Sequence, residues 1–151
     1  IASEQTMSLE SWIEGSDFRN DNNKLLQMDI EGAEYEVLLD ASLETLSSFR
    51  FMIIEFHDLD QLFNQFAFSL MSPAFEKILE THNCVHIHPN NCAPATKRYG
   101  VEIPPVMEFT FERKSESDLK AYVCDFPHEL DADNTNKAPI TLPDCWFRQS
   151  T

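Results

Sequence analysis

Glycine is scarce in this chain: three residues among 151, standing alone at Gly15, Gly32 and Gly100. Phosphate and dinucleotide cradles are built from clustered glycines, so neither is encoded here. Positive charge is scarce too. Eleven Lys and Arg face 26 Asp and Glu, a formal net charge of −15. Nucleic-acid affinity comes from Lys and Arg displacing counterions, and anionic membrane surfaces attract basic segments. The composition therefore argues against a nucleic-acid binder and against a membrane-surface protein. The four cysteines, Cys84, Cys92, Cys124 and Cys145, form no C-x-x-C pair and match no zinc spacing. Such usage fits reduced thiols in a cytoplasm better than a secreted disulfide scaffold. No basic and apolar leader opens the sequence. The longest uncharged stretch, Gln61 to Phe75, falls short of the ~20 apolar residues that span a bilayer. The chain begins at Ile1 rather than Met, which points to a piece cut from something longer.

What is present suffices for a core. Hydrophobic residues make up 42%, twelve of them Phe, and the length suits one domain. Thr6 to Glu14 has Leu9, Trp12 and Ile13 at helical spacing. Gly15 to Asn23 reads as a polar loop, and Lys24 to Ile30 as a short apolar strand. Ala33 to Phe49 reads as one amphipathic helix, with Glu31, Glu34 and Glu36 crowding the end where the helix dipole favours acids. Phe51 to Phe56 is a near-continuous apolar run, the mark of a strand covered on both faces. After an aromatic-rich connection, Ser72-Pro73 supplies an N-cap and a first-turn proline for the next helix. Cys84 to His88 reads as a third strand stopped by Pro89, and Asn90 to Pro105 as a loop. Val106 to Arg113 alternates, with Glu108, Thr110 and Glu112 opposite Met107, Phe109 and Phe111, as a half-buried antiparallel strand does. Beyond Lys120 the chain turns irregular and proline-containing, with Trp146-Phe147 as a late apolar anchor.

This order predicts an α/β layer of parallel strands closed by an antiparallel one, resembling half of a doubly wound domain. Ligands of open α/β sheets bind beyond the carboxyl ends of the strands. Polar groups cluster at those ends: Asp29, Glu31 and Gly32 after the first, Glu55, His57 and Asp58 after the second, His88 and Asn90 after the third. Each alone fits a helix cap or a turn; together, if the strands are neighbours, they converge on one rim. His57 is the best candidate for proton transfer, because an imidazole titrates near neutrality. Gly32 permits a tight turn or close approach to a ligand. His86 and His88 share a strand face and could chelate a metal, although such a pair more often serves the fold.

KLLQMDIEGAEYEVLLDAS (residues 24–42) resembles the signature of the FkbM family of S-adenosylmethionine-dependent methyltransferases, in which a strand ends in a D-x-E-G-x-E run before a helix. The EFH after the second strand, the HPNN after the third, the closing PPVMEFTFER and the upstream TMSLESWIE are similar to that family in the same order. The tail, LDADN through PITLPDCWF, is similar to some relatives as well. The resemblance implies the C-terminal half of a Rossmann-like methyltransferase sheet over residues 1–120, its fourth to seventh strands, with 121–151 an irregular tail packing on it. It implies S-adenosylmethionine as cofactor, held by Asp29 with Glu31 and Gly32 in the same turn. Glu31 and Glu34 flank that turn and could position substrate. Glu55 and His57 would be the base or acceptor-orienting groups for transfer to a hydroxyl of a sugar, polyketide or similar small molecule. The glycine-rich cofactor loop is missing, so partners include an N-terminal half or a second copy of the chain. Two other readings stand beside this one. A non-catalytic assembly half-domain would expose an apolar sheet edge, and a metal-dependent hydrolase would use Asp29, Glu55, His57 and His88.

Overall fold

A computed structural model describes residues 7–115 and 126–147. The expected division at residue 120 and Cys124 lie outside them. The described chain runs α1 (Leu9–Glu14), β1 (Lys24–Met28), α2 (Glu34–Asp40), α3 (Leu43–Ser47), β2 (Phe49–Phe56), α4 (Gln65–Thr81), β3 (His82–Pro89), β4 (Thr96–Arg98), β5 (Val101–Ile103) and β6 (Met107–Arg113). Its main sheet has the order β1-β2-β6-β3. β1 and β2 are parallel, and β6 runs antiparallel to both β2 and β3, so β3 shares the direction of the first two. The antiparallel closing strand is as expected; its position is not. β6 wedges between β2 and β3, which are therefore not neighbours.

The core lies on one face. Leu26 and Met28 of β1, Met52, Ile54 and Phe56 of β2, and Met107, Phe109 and Phe111 of β6 alternate inward against Leu38 of α2, Leu46 of α3 and Met71, Ala74 and Ile78 of α4. Phe56 anchors it, with ring centroids of Phe75, Tyr35 and Phe109 at 4.5, 5.3 and 5.5 Å. The opposite face is less covered than the apolar run of β2 suggests: Phe51 and Ile53 are half-buried, and Leu25 of β1 is exposed. The described residues cover β2 fully on one side only.

Three local expectations are corrected. The single helix over residues 33–49 is broken at Ala41, where the backbone leaves the helical region (ψ 140°). Ser42 restarts it by accepting the Thr45 N–H on its hydroxyl at 3.0 Å, and the Glu10 carboxylate takes the Ser42 N–H at 2.7 Å. α4 begins seven residues before Ser72, capped by Asn64 Oδ1 on the Phe66 and Ala67 N–H groups. Pro73 then sits inside the helix, where packing of Met71, Ala74 and Ile78 offsets the lost backbone bond. The loop from Asn90 to Pro105 contains the β4–β5 hairpin, whose two-residue turn places both Tyr99 (φ 49°) and Gly100 (φ 86°) in the left-handed region that such turns require.

The tail packs as an anchor, as its aromatic pair suggests. Trp146 donates its indole N–H to the Glu102 carbonyl at 3.1 Å, and Phe147 meets Phe126 at 4.7 Å between centroids. Buried Asn91 ties the strand end to it, donating to the Thr135 and Lys137 carbonyls and accepting the Thr135 N–H. Asp131 and Phe126 of the same segment lie against the His86 side chain of β3, the last strand of the sheet.

One buried imidazole predicts acid sensitivity. His82 is wholly buried; its Nε2–H donates to the Phe49 carbonyl at 3.1 Å and its Nδ1 accepts the Thr81 hydroxyl at 2.8 Å. Burial depresses its pKa; the Phe49 carbonyl opposes that, and the Arg113 and Lys114 charges add to it. A folded-state value below the unfolded one, about 6.5, means that the unfolded chain binds the extra proton. The stability His82 contributes is thus full above about pH 6.5 and lost as pH falls below it. Unfolding temperatures measured from pH 7.5 to 5 are expected to fall for the parent and to fall less steeply for His82→Gln; equal slopes would contradict the assignment.

Candidate functional site

The rim at the carboxyl ends of β1 and β2 is made by two strained turns. After β1, Glu31 (φ 56°) and Gly32 (φ 103°) adopt consecutive left-handed conformations. A Cβ at Gly32 would lie 3.5 Å from Asp58 Oδ2, which is ordinary contact, so the backbone angle rather than crowding demands glycine there. After β2, Asp58 is also left-handed (φ 59°), and the Leu59 N–H is tied to the Pro105 carbonyl at 3.0 Å. Non-glycine residues held this way cost roughly 1–2 kcal/mol each and persist where the surroundings fix them.

Glu34 fixes these. Its carboxylate is fully buried, accepts the Ile30 N–H at 3.0 Å and the Gly32 N–H at 3.1 Å, and meets His57 Nδ1 at 3.1 Å. Helix-end acids were expected to serve the dipole; this one instead closes the β1 turn and orients an imidazole from the next strand. A carboxylate can only accept, so His57 Nδ1 is the donor, and in the neutral ring the lone pair lies on Nε2. Nε2 faces Glu31 Oε2 at 3.5 Å and Asp29 Oδ1 at 3.9 Å. The His57 side chain is 15% exposed, against 53% for Asp29 and 86% for Glu31, so a mostly buried base opens onto two solvated acids. Tyr35 holds the backbone of His57 by donating its hydroxyl to the carbonyl at 2.7 Å. Burial, with the Glu34 and Asp58 charges, pushes the phenol far above its ordinary pKa, so it remains a donor.

Asp29, Glu31, Gly32 and His57 thus come together as the sequence predicts; Glu55 joins a different group. It accepts from Asn90 Nδ2 at 2.7 Å and lines a cleft of about 290 Å³ with His86, His88, Asn90, Glu108 and Asp131. The register explains this separation. Glu55 pairs with Glu108, and Glu108 with His88, so the inserted β6 sets the three in one row across the sheet. The row lies at the same end as Asp29, because Met28 pairs with Ile54.

His86 and His88 share a face as expected, but a carboxylate from the tail engages them. Asp131 Oδ1 meets His86 Nε2 at 2.9 Å, and Oδ2 lies 3.7 Å from His88 Nδ1. Burial alone would raise the Asp131 carboxyl; the His128 N–H and the two imidazoles outweigh it and hold it below its ordinary value. The hydrolase ligand set of Asp29, Glu55, His57 and His88 is not assembled. Among the described residues, only Asp29, Glu31 and His57 place ligand atoms within 4.8 Å of one another, and those three could hold a cation. Glu108 and Asp131 are the site residues that sequence reasoning missed. Alternation put Glu108 on the polar side of its strand, but nothing local revealed which strands would flank it.

No helix among the described residues is long and apolar enough to cross a membrane. No match was found among curated proteins or among solved structures. The sequence matches the methyltransferase FkbM domain over residues 3–103, from before α1 through β5, leaving β6 and the tail outside. That span is two thirds of the 151 residues and contains every element that builds the His57 rim, so the chain belongs to the FkbM methyltransferase family.

Proposed function

We propose that the rim around His57 serves methyl transfer from S-adenosylmethionine to a hydroxyl of a small-molecule acceptor. The observation that carries this reading is the Glu34–His57 pair: in a methyltransferase family member, a buried carboxylate holds Nδ1 of an imidazole at the carboxyl ends of the parallel strands and leaves Nε2 on the open side. The residues fit such a cofactor by charge. Asp29 and Glu31 are exposed and paired only with an imidazole among the described residues, which suits a ligand carrying ammonium and sulfonium charges. With three isolated glycines the chain offers no cradle for the rest of that ligand, so in this reading a loop outside these residues completes the site.

The cofactor supplies an electrophilic methyl group. His57 Nε2 would take the proton from the acceptor hydroxyl as its oxygen gained the methyl group, the departing sulfur keeping its bonding pair. Proton removal by a placed base is worth roughly 10²–10⁴-fold, and alignment of acceptor and methyl supplies much of the rest. Asp29 holds charge on the cofactor side, while Glu55 orients the acceptor from the neighbouring cleft.

The test is calorimetric titration with S-adenosylhomocysteine, the product cofactor. With the loop that completes the site supplied, heat with the parent and at least about tenfold weaker binding for Asp29→Ala is the expected pair of results, about 1.4 kcal/mol. Unchanged affinity in Asp29→Ala would remove Asp29 from the site, and absence of binding once the completing loop is supplied would end the reading. A second reading, a non-catalytic assembly half-domain, is favoured by the exposed Leu25 on β1, whose outer edge has no partner strand among the described residues. It predicts a dimeric mass in size-exclusion chromatography that falls on Leu25→Lys.

A further inference from the structure

Three acceptors face one another at the β1–β2 rim. In the neutral ring His57 Nε2 carries a lone pair, and it stands 3.5 Å from Glu31 Oε2 and 3.9 Å from Asp29 Oδ1. One ligand atom from each of the three residues lies within 4.8 Å of the other two. Among the described residues no Lys or Arg is paired with either acid. Two carboxylates and a lone pair so placed repel one another unless positive charge sits between them. The acids alone would carry no weight, since a chain with 26 Asp and Glu gathers such groups by chance. The imidazole sets this group apart. It is mostly buried, Tyr35 donates to its backbone carbonyl, and Nδ1 is committed to the fully buried Glu34 carboxylate. Metal-ligating histidines give their second ring nitrogen to just such a partner, which fixes the tautomer, aims the free nitrogen and raises its basicity. Glu34 does this from the core, where a carboxylate is costly to hold.

The donor set narrows the cation. One imidazole nitrogen and two carboxylate oxygens make an open three-ligand face, with the remaining positions left to water. Mg²⁺ and Ca²⁺ favour oxygen ligands throughout, whereas an imidazole suits zinc and its first-row neighbours. Ligand atoms of a tetrahedral ion with bonds of about 2.0 Å stand about 3.3 Å apart. The two His57 contacts exceed that by about 0.2 and 0.6 Å, and rotation of the exposed Asp29 and Glu31 side chains closes the difference while the ring stays in place. We infer that Asp29, Glu31 and His57 Nε2 bind a divalent first-row transition cation such as Zn²⁺. The inference goes beyond the methyl-transfer reading and does not rest on it. A cation on Nε2 uses the lone pair that would take the acceptor proton. The two exclude one another, so a bound ion inhibits transfer. Nδ1 keeps its proton and its bond to Glu34 in either state.

The experiment follows the histidine ring nitrogens of the full chain by NMR during titration with Zn²⁺ at about pH 7.5, above the ordinary range of an imidazole. Mg²⁺ and Ca²⁺ serve as the controls. His57→Gln assigns the His57 signals, and circular dichroism checks each variant for folding. Zinc is expected to shift His57 Nε2 saturably with a Kd below about 100 µM, the Nδ1 proton remaining in place. Asp29→Asn and Glu31→Gln change solvated side chains and should fold as the parent does. Each is expected to weaken zinc at least about tenfold, and Mg²⁺ and Ca²⁺ should bind the parent weaker by a similar factor. No response of His57 up to about 1 mM zinc would overturn the inference. So would unchanged affinity in both acid variants, coordination through Nδ1, or equal binding of Mg²⁺. Parallel titration with S-adenosylhomocysteine, with the completing loop supplied, separates the two proposals. Cofactor binding without zinc binding removes the cation site and keeps the transferase reading; zinc binding without cofactor does the reverse.

Discussion

Phe56→Ala is expected to remove about 3–5 kcal/mol of stability, the usual cost of emptying a fully buried aromatic site. The ring is 0% exposed and touches three others, Tyr35 from α2, Phe75 from α4 and Phe109 from β6. These partners come from separate elements whose positions depend on the ring, so collapse around the cavity would have to move a helix, and the upper half of that range is expected. A single domain is stable by only about 5–15 kcal/mol, so the loss is a large fraction of the whole. Phe56 also ends β2, immediately before His57, and the cavity would loosen the strand that carries the base. Urea unfolding should show a lower midpoint at unchanged m-value. A loss below about 1 kcal/mol would mean that the aromatic cluster is not the keystone of this core.

The parts of this fold legible in the sequence are those where one physical signal dominates. β1, β2 and β6 announce themselves by apolar runs or strict alternation, and Asp29, Gly32 and His57 by being polar just beyond such runs. Elsewhere tertiary contacts overrode a plausible local signal. Ser72-Pro73 looks like a helix start, yet Met71 on one side and Ala74 on the other are both buried against the sheet, and the helix passes through. Ala41-Ser42 contains neither glycine nor proline; the break there depends on Glu10, thirty-two residues away, meeting the Ser42 N–H. The insertion of β6 between β2 and β3 is a fact of topology with no local signature. That insertion separates the polar groups into two sites. It leaves Asp29, Glu31 and His57 on the β1–β2 side and gathers Glu55, Glu108 and His88 on the other.

Glu34→Gln should be the most damaging single change to activity while leaving the protein folded. The sequence marks Glu34 as a helix-end acid, but the structure makes it the acceptor for two backbone N–H groups and for His57 Nδ1. An amide of the same shape has one acceptor oxygen and an NH₂ that must point somewhere. Oε1 takes both the Ile30 N–H and His57 Nδ1, so an NH₂ in its place faces both, forces Nδ1 to accept, moves the ring proton to Nε2 and removes the lone pair that would take the acceptor proton. An NH₂ in the place of Oε2 meets only the Gly32 N–H and keeps the parent tautomer. Stability is expected to fall by about 1–3 kcal/mol, the cost of a buried polar group left imperfectly paired. With the NH₂ on His57, methyl transfer should fall about 10²–10⁴-fold, because a wrongly protonated imidazole is as poor a base as none. Nitrogen NMR of the His57 ring distinguishes this from a general loosening: the parent should carry its proton on Nδ1 and the variant on Nε2, with S-adenosylhomocysteine affinity within about threefold. Glu34→Asp keeps the charge but shortens the reach; it should keep the tautomer and recover part of the rate. If Glu34→Gln carried the ring proton on Nε2 and still retained kcat/KM within about threefold of the parent, His57 would not be the base, and the solvated carboxylates of Asp29 and Glu31 would have to be tested for that role.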